Sequence, residues 1–577
     1  MAGVSALVQG LLSRIKQEHL LVLAVTFAVV CVSTRIISGN NARPGVDPRG
    51  PHKGGAKIAP AVPYWVPYLG HIPQMVFGAE SFLAGLRSLH PGGAFSLNFL
   101  GGVHTVVFKP GLTASLINQP VHIADGHASS KHLMKSNFGW PRSKASLETY
   151  DKVIDELLAL YRFLSSDKAL NQMVDRTVQR LRHNIADLVT FNESEVDQVE
   201  WEKYAGAETV RDNKGEQVVE ADLYDLVRNF IAMTANVSLF GTDFVENYPR
   251  FWQHLWRFDD GFMALAADLP AWLPIQKAIA ARRARSEAMA CLREFHAALE
   301  ADREGQKPKP EWADIDNVSP LIQGRVDQVY RKYSLTLEQR ASSDFGLAWA
   351  MNANANPLVF WMLWRINSDA VLLARIRDEV APYIVIEKPA HGFGSAFKQA
   401  MRIESIDVDG LVNKCPLLKA AYIETLRVDV SAWSFKVIRE DVIVSDKDAS
   451  SDKFLLPKGT YAHGAHELNH MNPDVFEDPK EWSIDRHIKW DTPNEKGEKQ
   501  PVGADMGVVR PYGGGVSMCK GRQFAFKEIL IFTAAILTTY DIEPVGGGPW
   551  KLPKQSNGAG TKHPASSTRV WIKARAT

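Results

Sequence analysis

The sequence predicts a mainly helical protein with a small β region, built as one large domain behind an N-terminal membrane anchor. Three observations carry that expectation. An uncharged apolar run lies close to the N-terminus, helical periodicity dominates from about residue 146 onward, and strand-like alternation is confined to short segments. The 577 residues are 45% hydrophobic, enough for a sizeable buried core. A net charge of +1 gives no global pull on nucleic acid. The four cysteines, Cys31, Cys291, Cys415 and Cys519, are far apart and form no CxxC pair, so neither a disulfide framework nor a cysteine zinc site is expected. Reduced thiols in a large intracellular enzyme fit this pattern.

The apolar run reads LLVLAVTFAVVCVST from Leu20 to Thr34. With Arg35 snorkelling and Ile36 and Ile37 added, it approaches the roughly 20 residues of a spanning helix, here about residues 20–37. A cleaved signal peptide would fit the same run, but a Pro- and Gly-rich stretch follows and no disulfide scaffold lies downstream. Arg14 and Lys16 precede the run, whereas Arg35, Arg43, Arg49, Lys53 and Lys57 follow it, so the body is expected on the cytosolic side. The sequons at Asn192, Asn236 and Asn317 would then never meet the glycosylation machinery. The expected division is an anchor over 1–38, a semi-rigid hinge rich in Pro44, Pro48, Pro51, Pro60, Pro63 and Pro67 over 39–70, and a catalytic body over 71–577.

Within the body, Phe95 to Phe108 alternates like two strands around a Gly-Gly turn. Met173 to Val189 is an amphipathic helix, and a long apolar helix is expected from about Ala341 to Ile366. Further helices run through Leu417 to Leu426 and begin just after Cys519, and short strands surround Val437 to Val444 and Thr460 to Ala462.

The segment RPYGGGVSMCKGRQFAFKEIL, Arg510 to Leu530, carries the strongest chemical signal. Three glycines precede Cys519, which opens an amphipathic helix. Glycines allow the tight turn, and a helix N-terminus with Arg522 and Lys527 nearby favours a thiolate of lowered pKa. A buried core cysteine beside a glycine turn is the plain alternative. Glu424 and Arg427 form an ExxR pair on one helical face, a weak signal alone. Leu347 to Trp361 reads LAWAMNANANPLVFW, where Pro357 removes an N–H and should kink the helix. HELNH, His466 to His470, matches a zinc-protease pattern, but Gly464 and Pro473 leave room for a turn or two of helix and no third-ligand extension follows. No GxGxxG follows a strand and no Walker pattern occurs, so electrons would have to come from a partner.

The cysteine segment resembles the ligand loop of the cytochrome P450 superfamily, with Tyr512, Gly513, Gly515, Cys519 and Gly521 filling its pattern. Ser517 stands where most members carry a haem-binding arginine, a departure shared by the sterol 7-alpha-hydroxylase and prostacyclin synthase branch. The resemblance covers about residues 60–545, including Pro63 to His71 and the SIDRH segment, Ser483 to His487. It implies the P450 fold as a single large haem domain, haem b with Cys519 as the axial ligand, and a Glu424–Arg427 pair bridged by Arg486. It also implies Lys436 as the cation for a haem propionate, with Gly513 and Gly515 shaping the loop. Asn354 stands at the acid position of the family's long helix and Ala355 at the alcohol position. Asn354, Asn356, water or the substrate would then relay protons. The implied function is O2-dependent oxidation of a lipophilic substrate, such as a sterol, terpenoid or other secondary metabolite. NADPH-cytochrome P450 reductase would supply electrons, with cytochrome b5 as a further donor, at the endoplasmic reticulum membrane in single-pass topology. Lys520, Arg522 and Lys527 are candidate docking cations, and Trp433 with the Ser431-Ala432 turn candidate substrate contacts. Two other functions remain open at this point. One is a haem-thiolate isomerase or dehydratase working without reductase; the other is a non-catalytic haem-binding membrane protein.

Overall fold

A computed structural model describes residues 17–41, 55–387, 401–446, 452–493 and 499–575. The helices that matter for the site are α1 (Gln17–Asn41), α2 (Leu223–Ala235), α3 (Phe251–Asp259), α4 (Gln276–Arg303), α5 (Leu337–Asn352), α6 (Ala355–Asn367), α7 (Pro416–Asp429) and α8 (Arg522–Thr539). The mainly helical expectation holds, with several small sheets beside the helices.

Among the described helices, α1 is the one long and apolar enough to cross a membrane, over His19–Asn40, and none of that window is buried. It runs a few residues past the expected end because no proline interrupts it before Pro44. Pro44, Pro48 and Pro51 of the expected hinge lie outside the described residues. Beyond them the chain is tied down rather than free: Lys57–Ile58 pairs in parallel with Phe454 and Leu455, and Ala61 bridges to Ser96.

The described chain divides into two compact units. The first gathers the described residues up to Ser129, Trp433–Val475 and Gly513–Met518. Its five-stranded sheet has the order Ala94–Phe99, Gly102–Val107, Tyr461–Ala465, Trp433–Ile438, Ala124–Asp125. The first two strands are antiparallel around Leu100 and Gly101, both in the left-handed region, one residue earlier than the expected Gly-Gly turn, because Gly102 already pairs with Phe99. Strand alternation separates two cores: Phe95, Leu97 and Val106 face one, and Ala94 and Val107 the other.

The second unit comprises Ser130–Ala432, Phe476–Tyr512 and Cys519–Thr577. Its core is helical. Every residue of α6 from Ala355 to Asn367 is buried, as its apolar sequence requires of a helix enclosed on all sides. A four-stranded sheet of Tyr540–Pro544, Arg569–Ala574, Gln217–Asp222 and Glu208–Arg211 flanks it. The single kinked helix expected over 341–366 is in fact two. α5 opens on a Thr336–Gln339 capping box and ends at Asn352, and α6 restarts at Ala355. Pro357 cannot donate to the Ala353 carbonyl, which accounts for the break at this point. HELNH forms a helix of only five residues, His466–His470, and His466 Nε2 lies 3.1 Å from Ser434 Oγ. Among the described residues, no group of three or more His, Cys, Asp or Glu side chains is arranged to hold a metal ion.

Candidate functional site

Cys519 stands three residues before α8, and Gly521 is the helix N-cap. Its backbone N–H donates to the Tyr512 carbonyl at 3.1 Å. Its sulfur stands where the chain turns into α8, beside the backbone of Gly521 and Arg522. Loss of hydration raises the thiol pKa, opposed by the backbone of Gly521 and Arg522 and by the charges of Arg522 and Lys520, although the residue itself is exposed at the surface. Arg522 Nη1 donates to the Cys519 carbonyl at 3.0 Å, and Lys527 Nζ to Asn171 Oδ1 at 3.1 Å, so two of the three candidate docking cations are already engaged.

The glycine loop needs its glycines. Gly513 and Gly515 both have left-handed φ, +67° and +59°. A Cβ on Gly515 would lie 2.2 Å from the Ile117 carbonyl oxygen, so no other residue fits without moving the chain. In the same unit Lys436 is buried, and its ammonium donates to Ser517 Oγ at 2.8 Å. Burial pulls the Lys436 pKa down, opposed by Asp125. A buried cation held on a neutral hydroxyl is suited to pair with an anionic group.

The ExxR pair is fully buried. Arg427 grips Glu424 with both ends of its fork, Nε to Oε2 and Nη2 to Oε1, each at 2.7 Å. It also donates to the carbonyls of Pro479 (2.7 Å) and Glu481 (3.0 Å). Glu424 further accepts from the Ser483 N–H at 2.9 Å. Arg486 Nε stands 3.4 Å from Glu424 Oε1, but its Nη2 donates to the Asp478 carbonyl at 3.1 Å. The shorter contact comes from the next residue, His487, whose Nε2 lies 2.9 Å from Glu424 Oε2. His487 was not anticipated; the SIDRH segment contained it, but nothing in the sequence distinguished it from Arg486. Burial raises the Glu424 carboxyl, yet its hydrogen bonds to Arg427 and His487 hold it below the usual range. Tyr422, on the same helix, hydrogen-bonds Tyr512 through the two hydroxyls, and Tyr512 in turn receives the Cys519 N–H. The buried pair thereby steadies the backbone that presents the sulfur.

At the helix break, Asn354 Oδ1 accepts from the Thr561 N–H at 2.9 Å, and Thr561 Oγ donates to the Asn354 carbonyl at 3.1 Å. Asn356 Nδ2 donates to the Arg228 carbonyl (3.1 Å) and to Asn352 Oδ1 (3.3 Å), while Asn356 Oδ1 is buried without a hydrogen-bond partner. Asn352 and the sequon residue Asn236 exchange amide hydrogen bonds. The three asparagines of the LAWAMNANANP segment thus tie the break to its neighbours, Asn354 to the Thr561 loop and Asn352 and Asn356 to α2 and its C-cap Asn236. Trp433 Nε1 donates to Glu467 Oε2 at 3.2 Å, and the Ser431 N–H to the Gly560 carbonyl at 2.8 Å.

The cytochrome P450 family model matches residues 400–568, which include α7, the Cys519 segment and the Thr561 loop. The chain is 24% identical to cytochrome P450 7B1 of Mus musculus, covering 89% of this chain and 90% of that protein. It is 25% identical to the cytochrome P450 monooxygenase efuG of Hormonema carpetanum, over 90% and 91%. A 25-hydroxycholesterol 7-alpha-hydroxylase of Rattus norvegicus is 24% identical over 62% of this chain and 79% of its own. A cysteine ahead of the Gly521 N-cap of α8 is a donor that suits the iron of that family's cofactor. Residues 400–568 thus match the cytochrome P450 family, and over about nine-tenths of its length the chain is similar to cytochrome P450 proteins at 24–25% identity.

Proposed function

We propose that Cys519 is the thiolate ligand and that the enzyme inserts one oxygen atom of O2 into a sterol- or terpenoid-like substrate, with electrons from NADPH-cytochrome P450 reductase. The observation that carries the assignment is the place of Cys519, shortly after the left-handed turns of Gly513 and Gly515 and two residues ahead of the Gly521 N-cap of α8. The other described cysteines are placed differently. Cys415 is buried, its thiol donates to the carbonyls of Glu379 and Gly410, and its pKa is pushed up to about 12. Cys291 donates to the Glu287 carbonyl within α4, and Cys31 lies in α1. Bound haem supplies the oxygen-activating chemistry. Lys436, positioned by Ser517, would hold a haem carboxylate, and Gly513 and Gly515 would shape the loop; Glu424, Arg427, His487 and Arg486 fix α7 and, through Tyr422 and Tyr512, the ligand segment. Asn354 and Asn356 belong to the proton path at the helix break, where Asn356 Oδ1 is an open acceptor.

The substrate class rests on relatives named as sterol hydroxylases, such as a 5-beta-cholestane-3-alpha,7-alpha-diol 12-alpha-hydroxylase of Sus scrofa, and on fungal relatives such as efuG. Residues 1–38 anchor the body on the cytosolic face of the endoplasmic reticulum, supported by the exposed apolar α1 and the basic residues that follow it. Residues 39–70 link the anchor to a haem-binding domain over 71–577, and cytochrome b5 is a second electron donor. The full-length protein in membranes, given reductase, NADPH and 25-hydroxycholesterol or a terpenoid panel, should form an oxygenated product that requires both reductase and O2. Product from a hydroperoxide without reductase would instead mark an isomerase.

A further inference from the structure

The missing alcohol of the long helix has a structural replacement. Ala355 cannot donate a proton, but a hydroxyl does stand at the break, and it comes from far along the chain. Thr561 is buried, and its Oγ donates to the Asn354 carbonyl at 3.1 Å while lying 3.4 Å from Asn354 Oδ1. Its own N–H donates to that Oδ1 at 2.9 Å. We infer that Thr561 supplies the proton-donating hydroxyl at the helix break that Ala355 cannot, so that the family's helix-borne alcohol is here delivered by the C-terminal loop.

Three features argue for placement rather than chance. The loop is strapped on both sides of Thr561: the Ser431 N–H donates to the Gly560 carbonyl and the Lys562 N–H to the Asp429 carbonyl, each at 2.8 Å. Trp361 Nε1, on α6, donates to the Lys562 carbonyl at 2.7 Å. The approach is also close enough to demand a glycine. A Cβ on Gly560 would lie 2.2 Å from Asn354 Oδ1. Finally, the same loop brings an ionisable pair to the helix. His563 Nε2 lies 3.4 Å from Asp259 Oδ2, and Asp259 Oδ1 accepts from Trp349 Nε1 of α5 at 2.7 Å. Burial, with Asp260 nearby, pushes the Asp259 carboxyl up to about 7 despite Trp349 and Arg228. A hydroxyl therefore stands at the break and a protonatable carboxyl beside Trp349 of α5, and neither is carried by α6. In the monooxygenase reaction one oxygen atom of O2 enters the substrate and the other leaves as water, which requires two protons alongside the two electrons of NADPH. Thr561 Oγ would pass one of these protons towards the oxygen atom that leaves as water and recover one from water, so its own protonation does not change.

The inference rests on the monooxygenase reading, and the experiment separates the two. Parent, Thr561→Val, Thr561→Ser and the double variant Thr561→Val/Ala355→Thr are compared in two ways. The first is the infrared C–O stretch of the reduced, carbon monoxide-bound protein, which needs no turnover. The second is peroxide released per NADPH consumed with reductase and 25-hydroxycholesterol as the probe. Thr561→Val should shift the C–O stretch and raise the peroxide fraction several-fold; Thr561→Ser should match the parent, and returning the hydroxyl at residue 355 should restore both readouts. That restoration excludes a merely structural role, since a threonine at 355 does not rebuild the Thr561 hydroxyl contact with Asn354. An unshifted C–O stretch in Thr561→Val overturns the inference, as does a double variant that behaves like Thr561→Val. If Thr561→Val fails to hold haem, Thr561→Cys is read the same way. A parent that consumes no NADPH with reductase contradicts the monooxygenase reading, while the infrared comparison still decides on Thr561.

Discussion

Replacing Arg427 with alanine should cost this protein most of its stability. Arg427 and Glu424 are both fully buried and joined by two hydrogen bonds of 2.7 Å. Without the guanidinium, Glu424 keeps the Ser483 N–H and His487, but the carbonyls of Pro479 and Glu481 each lose a charged donor. Removing one partner of a buried pair costs about 3–5 kcal/mol. That is roughly two to four powers of ten in the folded-to-unfolded ratio, against a total stability of about 5–15 kcal/mol. The assay is urea unfolding of the purified protein, followed by haem absorbance and far-ultraviolet circular dichroism together, because cofactor release can break two-state behaviour. The variant should unfold at much lower urea or fail to retain haem. The double variant Glu424→Leu/Arg427→Met should be more stable than Arg427→Ala, since no uncompensated charge is left buried. An Arg427→Ala variant within about 0.5 kcal/mol of the parent, the range of ordinary surface changes, would refute the reasoning.

Other outcomes follow from the same geometry. Glu424 titrates below its unfolded value, so its contribution to stability is complete above the ordinary glutamate range and is lost as pH falls through the lower folded pKa; urea midpoints between neutral and acid pH should show this loss in the parent and not in Glu424→Gln. Gly560→Ala should push the loop off Asn354, given the 2.2 Å approach, and should lower melting temperature and coupling together. Asn354→Leu removes the acceptor of the Thr561 N–H and should raise peroxide release per NADPH, whereas unchanged coupling would show that this side chain carries no part of the proton path. Deleting residues 1–41 should release the haem-loaded body from membranes at least in part, as read by sedimentation and absorbance; loss of haem on truncation would contradict the division into anchor and body.

Local signals in the sequence reached far into the site. The glycines before Cys519, the helix after it, the ExxR pair and the Pro357 break are all written in short stretches whose backbone requirements are specific. The residues that were not legible are those brought in from a distance. His487 was hidden beside Arg486, because both can meet a carboxylate and only the backbone at Ile484–Arg486 decides which side chain turns inward. Thr561 and His563 lie some two hundred residues beyond Asn354, in a loop with no periodicity of its own. Only the backbone straps to Asp429 and Ser431 bring them to the break.

The most direct test of the central claim is the reduced carbon monoxide difference spectrum of the parent, Cys519→Ser and Cys415→Ser. The account predicts the long-wavelength Soret band of thiolate-bound haem in the parent and in Cys415→Ser, and its loss in Cys519→Ser. Retention of that band in Cys519→Ser, or its loss in Cys415→Ser with haem still bound, would contradict it.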